Sequence, residues 1–168
     1  MIKTLAILTA AALLAVSTPV LAEQKMFSAT LSAGEEVPPN DSTATGTVEA
    51  TFDTETKAFT WTIEYSGLTG DAMAAHFHGP AAPGENAGPV VPIPDPLTSP
   101  ISGTATLDAT QEADLLAGKW YFNVHTAQYP DGEIRGQVLE GGMSTMPAPA
   151  TESSAAAPAT DTSSSASY

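Results

Sequence analysis

Three histidines are the side chains of this 168-residue chain best suited to bind a ligand. His76 and His78 are separated by a single residue in a strand-like run, and His125 lies in a second such run, 120–126. Because successive side chains of a strand point to opposite faces, His76 and His78 share one face. Two imidazoles on one strand and a third on another form a ligand set that suits zinc or copper(II).

Hydrophobic periodicity places all three histidines on the polar side of their strands. In the run 120–126, bulky apolar side chains alternate with polar ones, and His125 belongs to the polar set. Phe77 points away from the face that His76 and His78 share. Three alternatives stay open: a shared metal site, a metal-free hydrogen-bonded network, and unrelated surface rings. Ring nitrogens about 3–4 Å apart would fit a common metal ion, and separations beyond about 7 Å would not.

Carboxylates close to the histidine runs are the candidates for supporting roles. Glu64, on the third predicted strand, and Glu133, across the last hairpin, are expected to accept hydrogen bonds from imidazole N–H groups around the metal. Arg135 shares a strand face with Glu133, which predicts an ion pair within the sheet. The adjacent Glu35 and Glu36 lie in a loop and are expected to be solvated. No serine near the histidines has the surroundings of a catalytic nucleophile, so we predict no catalytic residue.

The elements that must position these residues are short β-strands. The segment 79–100 carries seven prolines and three glycines, so it is neither a helix nor a central strand. Asp108 as N-cap, with Gln111 three residues later and Gly118 as the stop, predicts one short helix. Elsewhere, runs of alternating polarity between turn residues predict about seven antiparallel strands. This content is typical of an all-β sandwich or Greek-key barrel. The predicted strands are 26–33, 47–52, 59–65, 74–78, 101–107, 119–126 and 133–140.

The two ends of the chain differ in composition from its middle. Residues 1–22 combine a positive start, an apolar run and a small-residue cleavage site near Ala22. This layout predicts a signal peptide and export to the periplasm or the extracellular space. Residues 23–140 are one domain by size, and the Ala/Ser/Pro-rich tail 141–168 is predicted to be disordered. No run after the signal peptide is long and apolar enough to predict a transmembrane anchor.

The charge balance excludes one class of partner. The formal net charge is −14, and the chain has no cysteine. An acidic surface repels phosphate backbones and anionic membranes, so nucleic acid is excluded as a partner, whereas cations and basic proteins are compatible. The missing cysteines exclude disulfides, thiolate nucleophiles and thiolate metal ligands.

Four motifs in this order together resemble the CHRD domain, which is named after chordin and found in exported microbial proteins. They are FSATLSAGEEVPP at 27–39, AHFHGPA at 75–81, YFNVHT at 121–126 and PDGEIRGQ at 130–137. The resemblance runs from about Phe27 to Leu139 and implies an immunoglobulin-like β-sandwich or barrel. It implies no catalytic role for any matching residue. These residues are His76, His78, Gly79, Pro80, Asn123, His125, Thr126, Pro130, Gly132, Glu133, Arg135 and Gly136.

The motifs, the charge and the N-terminal segment together predict an exported, non-catalytic binding module whose three-histidine face binds a metal ion, copper or zinc. Its partner is either that ion or an unidentified protein. One alternative is an enzyme with a mononuclear metal site on a β-barrel, for which Glu64, Glu133 and Arg135 are the candidate assisting groups. The other is a structural or interaction module in which the histidines brace the proline-rich segment and hold no metal.

Overall fold

The computed structural model describes residues 23–141, so the predicted signal peptide and the tail beyond Gly141 lie outside the described residues. Eight strands, one α-helix and a short 3-10 helix follow each other along residues 23–141. They are β1 (Gln24–Ser32), the 3-10 helix (Ala33–Glu35), β2 (Thr45–Asp53), β3 (Ala58–Ser66), β4 (Ala72–His78), β5 (Pro89–Pro92), β6 (Ile101–Thr106), α1 (Ala109–Leu116), β7 (Trp120–Thr126) and β8 (Ile134–Glu140).

The eight strands form one antiparallel sheet that curls into a nearly closed barrel. Their order is β5-β4-β7-β8-β1-β2-β3-β6, and the edge strands β5 and β6 both line a pocket beside Trp61. The prediction of an all-β fold with one short helix is therefore confirmed, in its barrel form. The additional strand is β5, which lies within the proline-rich segment and, among the strands of residues 23–141, pairs with β4 alone. An edge strand tolerates proline because one of its sides needs no ladder hydrogen bonds.

Aromatic side chains fill the barrel interior between β3, β4 and β7. Phe59 packs against Phe77 with ring centroids 5.2 Å apart and against Trp120 at 5.6 Å, both in edge-to-face geometry. Phe77 and Phe122 are cross-strand partners whose centroids are 4.8 Å apart. Such pairs contribute about 0.5–1.5 kcal/mol each beyond the area they bury. Because Phe77 and Phe122 point inward, the residues that alternate with them on β4 and β7 point outward.

The helix of the described region begins at a capping box, as predicted. The Asp108 carboxylate accepts hydrogen bonds from the N–H groups of Thr110 (2.8 Å) and Gln111 (2.9 Å). The Gln111 side chain in turn accepts one from the N–H of Asp108 (3.0 Å). Gly118, with a φ of +66°, follows the helix, and Leu115 is fully buried in the core. Within residues 23–141, no helix has the length and apolar content to span a membrane.

A loop covers the outer face of β7, which is why this strand is buried on both sides. The N–H of Ala81 donates to the carbonyl of Lys119, and the N–H of Ala87 donates to the hydroxyl of Tyr121. Tyr121 and Asn123 are each 3% exposed. Alternation therefore predicts the outward direction of these side chains, but an outward face is not exposed to solvent once a loop packs over it.

Candidate metal centre

The pairing of β4 with β7 brings the three histidines together. The antiparallel register sets Ala74 opposite His125 and His76 opposite Asn123. His76 and His125 therefore lie diagonally across the two strands, and His76 Nδ1 is 3.3 Å from His125 Nε2. The ring centroids of His76 and His78 are 5.3 Å apart, and those of His78 and His125 are 6.3 Å apart. The three rings form one cluster on the outer face of the barrel.

The spacing of the ring nitrogens is close to what a shared metal ion needs. One nitrogen of each ring can act as a ligand atom, and these three atoms all lie within 4.8 Å of one another. Nitrogens bound at about 2.1 Å to one tetrahedral ion are about 3.4 Å apart and cannot be more than about 4.2 Å apart. The His76–His125 pair already has the first spacing. The widest pair would have to close by roughly 0.6 Å to reach a common ion at all and by roughly 1.4 Å to reach the tetrahedral spacing, which requires rotation of the side chains.

Backbone carbonyls set the tautomers of two of the rings. His78 Nδ1 donates to the carbonyl of Ala87 (3.0 Å), and His125 Nδ1 donates to the carbonyl of Pro130 (3.0 Å). A carbonyl oxygen only accepts, so each neutral ring carries its proton on Nδ1 and its lone pair on Nε2. Metal-binding histidines are usually oriented by hydrogen bonds of this kind. The Nε2 atom of His78 is buried without a hydrogen-bond partner among residues 23–141, and that of His125 is within hydrogen-bond distance of His76 Nδ1 (3.3 Å), a contact that a cation would replace.

Burial keeps the three rings neutral. Loss of hydration lowers the pKa of His76, His78 and His125, and the neighbouring His125 and His78 rings lower the pKa of His76 further. The carbonyls of Ala87 and Pro130 act against this shift in the pKa of His78 and His125 but do not reverse it. Because a neutral imidazole is the form that binds a metal ion, the cluster is in its ligating state at neutral pH.

A stacked layer of side chains lies beside the histidines. The His78 and Tyr121 rings are parallel to within 5°, with centroids 4.7 Å apart. The guanidinium carbon of Arg135 is 3.5 Å from the centroid of the same tyrosine ring. Arg135 is 2% exposed and donates to Asn86 Oδ1 (2.8 Å) and to the carbonyl of Glu85 (2.6 Å). The layer therefore ties the proline-rich segment to the strands that carry the histidines.

Glu133 is buried, but its carboxylate binds hydroxyl and backbone donors and no imidazole. It accepts hydrogen bonds from Ser42 Oγ (2.6 Å), Thr126 Oγ1 (2.6 Å), and the N–H (2.9 Å) and Oγ1 (2.8 Å) of Thr69. Burial alone would raise the pKa of this carboxyl, but these donors outweigh burial and hold its pKa below the usual range. The predicted support of the rings by Glu133, and its predicted ion pair with Arg135, are not formed within residues 23–141. Glu133 instead joins two loops to the end of β7.

Glu64 lies on another side of the barrel. It is exposed on β3, where it pairs with Thr47 of β2. In the sheet order, β8, β1 and β2 separate β3 from β7. The prediction that Glu64 supports the histidines is therefore wrong. Alternation sets its outward direction, but the curvature of the barrel turns the outer faces of β3 and β7 away from each other.

Two buried polar residues near the histidines were not among the predicted site residues. Glu36 is 5% exposed, and burial raises its pKa to about 7 although the nearby Arg135 guanidinium acts to lower it. Gly132 makes room for this carboxyl, because a Cβ there would lie 2.3 Å from Glu36 Oε1. Asn123 is 3% exposed and lies opposite His76. The expected solvation of Glu36 is wrong; its place in the first of the four motifs was the signal available in the sequence.

An apolar pocket opens onto two of the histidines. Met73, at its rim, is 67% exposed, and the pocket gives the cluster a route to solvent. Its lining residues are Met73, Ala74, His76, His125, Thr126, Ala127 and Pro130.

The three histidines lie within a region that comparison with known families recognises. The sequence profile of the CHRD domain matches residues 27–138, about two thirds of the chain. The chain belongs to the CHRD domain family. No curated protein and no solved structure matches the chain. The CHRD domain of this chain runs from β1 into β8 and includes the whole histidine cluster.

Proposed function

We propose that this CHRD domain is an exported, non-catalytic binding module that holds one metal ion, copper or zinc, on its three-histidine face. The observation that carries the proposal is the convergence of three neutral imidazoles, two of them held by backbone carbonyls with their lone pairs on Nε2. Zinc and copper(II) both favour imidazole ligands. Export is supported by residues 1–22, which have the composition of a signal peptide.

The surroundings of the cluster favour binding over catalysis. A metal enzyme needs a general acid or base beside the open coordination position of its ion. Glu133 is held by its four donors, and Glu64 lies on another face of the barrel. The guanidinium of Arg135 is occupied by Tyr121 and by the proline-rich segment. Glu133 and Arg135 are therefore engaged elsewhere, and Glu64 is on another side of the barrel.

A mononuclear metal enzyme is the second candidate, because the apolar pocket beside His76 and His125 leaves room for a small molecule next to the ion. Superoxide and ester substrates offered to the copper- and zinc-loaded protein distinguish the two candidates. Turnover that disappears in the His76→Ala/His125→Ala variant would support the enzyme, and its absence in the loaded wild-type protein would support the binding module.

Equilibrium dialysis of the full chain against Zn²⁺ and Cu²⁺, after removal of bound metal with a chelator, tests the proposal. We expect one ion per chain with a Kd below about 10 μM, which corresponds to about −7 kcal/mol. The His76→Ala/His125→Ala variant should lose this binding, and Glu64→Gln, a change on another face of the barrel, should retain it. Wild-type protein that binds neither ion tighter than about 10 μM would contradict the proposal. A loss of metal-free stability in the histidine variant without any metal binding would instead support a structural role.

A further inference from the structure

Asn123 shares the outer face of β4 and β7 with the three histidines. It is directly opposite His76 in the β4–β7 register, and His78 is opposite Tyr121, two residues away. Cross-strand partners have Cβ atoms about 4.5–5.5 Å apart, and diagonal neighbours are about 7–8 Å apart. His125 is two residues further along β7 on the same face, at a distance of about 6.6 Å. The Asn123 side chain therefore begins next to all three rings.

The amide oxygen of Asn123 is a buried acceptor without a hydrogen-bond donor. The residue is 3% exposed, and no described residue donates to its Oδ1 atom. The same holds for His78 Nε2, in a residue that is 8% exposed, and for Glu36 Oε1, in a residue that is 5% exposed. A buried acceptor without a donor is destabilising, and native proteins rarely retain one. Neighbouring acceptors of this kind form a site that suits a positive charge.

Neighbours on two sides set the orientation of the Asn123 amide. Burial raises the pKa of Glu36 and the Arg135 guanidinium lowers it, and a hydrogen bond from Asn123 also lowers it. Burial lowers the pKa of His78, and the contact with Asn123 acts against that shift. An N–H group stabilises a carboxylate, whereas a carbonyl oxygen stabilises an imidazolium. The NH2 group of Asn123 therefore faces Glu36, and Oδ1 faces the histidines.

We infer that Asn123 Oδ1 is the fourth donor to the cation bound by the three histidines, and that Glu36 is the residue that positions the amide. The inference rests on the proposed metal centre. If the amide were flipped, its oxygen would meet the Glu36 carboxylate, which is unfavourable when that carboxyl is ionised, and its NH2 group would donate to the imidazole lone pairs that the ion needs. Three nitrogens and one oxygen form a closed, four-coordinate set for a divalent ion such as Zn²⁺ or Cu²⁺. The set disfavours Cu⁺, which prefers softer ligands.

Asn123→Asp and Asn123→Leu test this inference in the full-length protein, because both variants keep the size of the side chain. Leucine removes the oxygen donor, and we expect the Kd for Zn²⁺ to rise about 10-fold to 100-fold. Aspartate keeps an oxygen in the same place and adds charge, so this variant should bind Zn²⁺ at least as tightly as the wild type. The Cu²⁺ electron paramagnetic resonance spectrum of each variant should differ from that of the wild type, since the set of donors around the ion changes.

The outcomes separate this inference from the proposed metal centre. If the wild type binds Zn²⁺ and neither Asn123 variant changes the Kd or the spectrum, the inference is overturned and the metal centre stands. The same conclusion follows if Asn123→Leu lowers only the melting temperature of the metal-free protein. If the wild type binds no metal, both proposals fail. If Asn123→Leu does not fold, Asn123→Asp decides: a spectrum and Kd equal to the wild type overturn the inference, and tighter binding with an altered spectrum supports it.

Discussion

The hydroxyl of Tyr121 hydrogen-bonds both the N–H and the carbonyl of Ala87. The hydroxyl donates to the Ala87 carbonyl (3.1 Å) and accepts from the Ala87 N–H (3.2 Å). The same carbonyl accepts from His78 Nδ1 (3.0 Å). One peptide group of the proline-rich segment therefore orients both the tyrosine and a ring of the histidine cluster, so the segment and the cluster depend on each other.

Tyr121→Phe is expected to lower the free energy of unfolding by about 1–2 kcal/mol, because the N–H of Ala87 loses its hydroxyl acceptor. The Ala87 carbonyl keeps its hydrogen bond from His78, so the Kd for Zn²⁺ should change by less than about 10-fold. Urea unfolding measures the first effect and dialysis the second. Tyr129→Phe is the matched control, since its hydroxyl has one long contact at 3.5 Å, and should cost less than about 0.5 kcal/mol. Equal losses in the two variants would contradict this role of Tyr121.

Glu36→Gln is expected to stabilise the metal-free protein at and above neutral pH. Burial raises the pKa of Glu36 to about 7, whereas the pKa in an unfolded chain is about 4.3. The folded protein therefore keeps a proton that the unfolded chain releases, and stability falls as the pH rises through this window. The loss is at most about 4 kcal/mol. The lowered pKa values of the three histidines make stability rise towards neutral pH in both proteins. Between pH 5 and pH 8 the urea midpoint of the wild type should therefore fall relative to that of the variant; parallel profiles would refute the buried carboxyl.

The effect of Glu133 on stability should depend on pH in the opposite direction to that of Glu36. Its donors hold the pKa of the carboxyl below the usual range. The stabilisation is therefore present at neutral pH and is lost as the pH falls through the pKa of the folded state. Glu133→Gln places an NH2 group against donors, which should cost about 1.5–3 kcal/mol at pH 7 and reduce the sensitivity to acid. Acid titration followed by circular dichroism measures both, with the exposed Glu64→Gln as control. A wild-type acid profile in Glu133→Gln would contradict this prediction.

The pH range of metal binding follows from the neutral rings. Burial lowers the pKa of all three histidines below their usual value. Zn²⁺ affinity should therefore be level between about pH 7 and pH 8 and fall below about pH 6, where protons compete for the ring nitrogens. Calorimetric titration at several pH values measures the profile. The measurement is repeated in Glu36→Gln, which removes another group that titrates near pH 7. Affinity that already falls between pH 8 and pH 7 in both proteins would show that the rings are not neutral.

Local pattern was enough to predict the direction of side chains and the start of the helix. A strand repeats every two residues, so alternation alone places Phe77 inside the barrel and His76 and His78 outside. The capping box at Asp108 also involves only neighbours in the sequence. These features depend on a few consecutive residues, and a short window of sequence contains all the information they need.

Contacts between distant parts of the chain decided which outward faces meet. His76 and His125 are 49 residues apart in the sequence, and only the pairing of β4 with β7 brings their ring nitrogens together. From the sequence alone, Glu64 is as suitable as Glu133 to accept a hydrogen bond from an imidazole ring, yet the curvature of the barrel places Glu64 on another side. Glu36 is buried because loop packing outweighs the preference of a lone carboxylate for water. The sequence by itself determined that each histidine points outward; strand pairing and loop packing, which are non-local, decided that the three rings share one site.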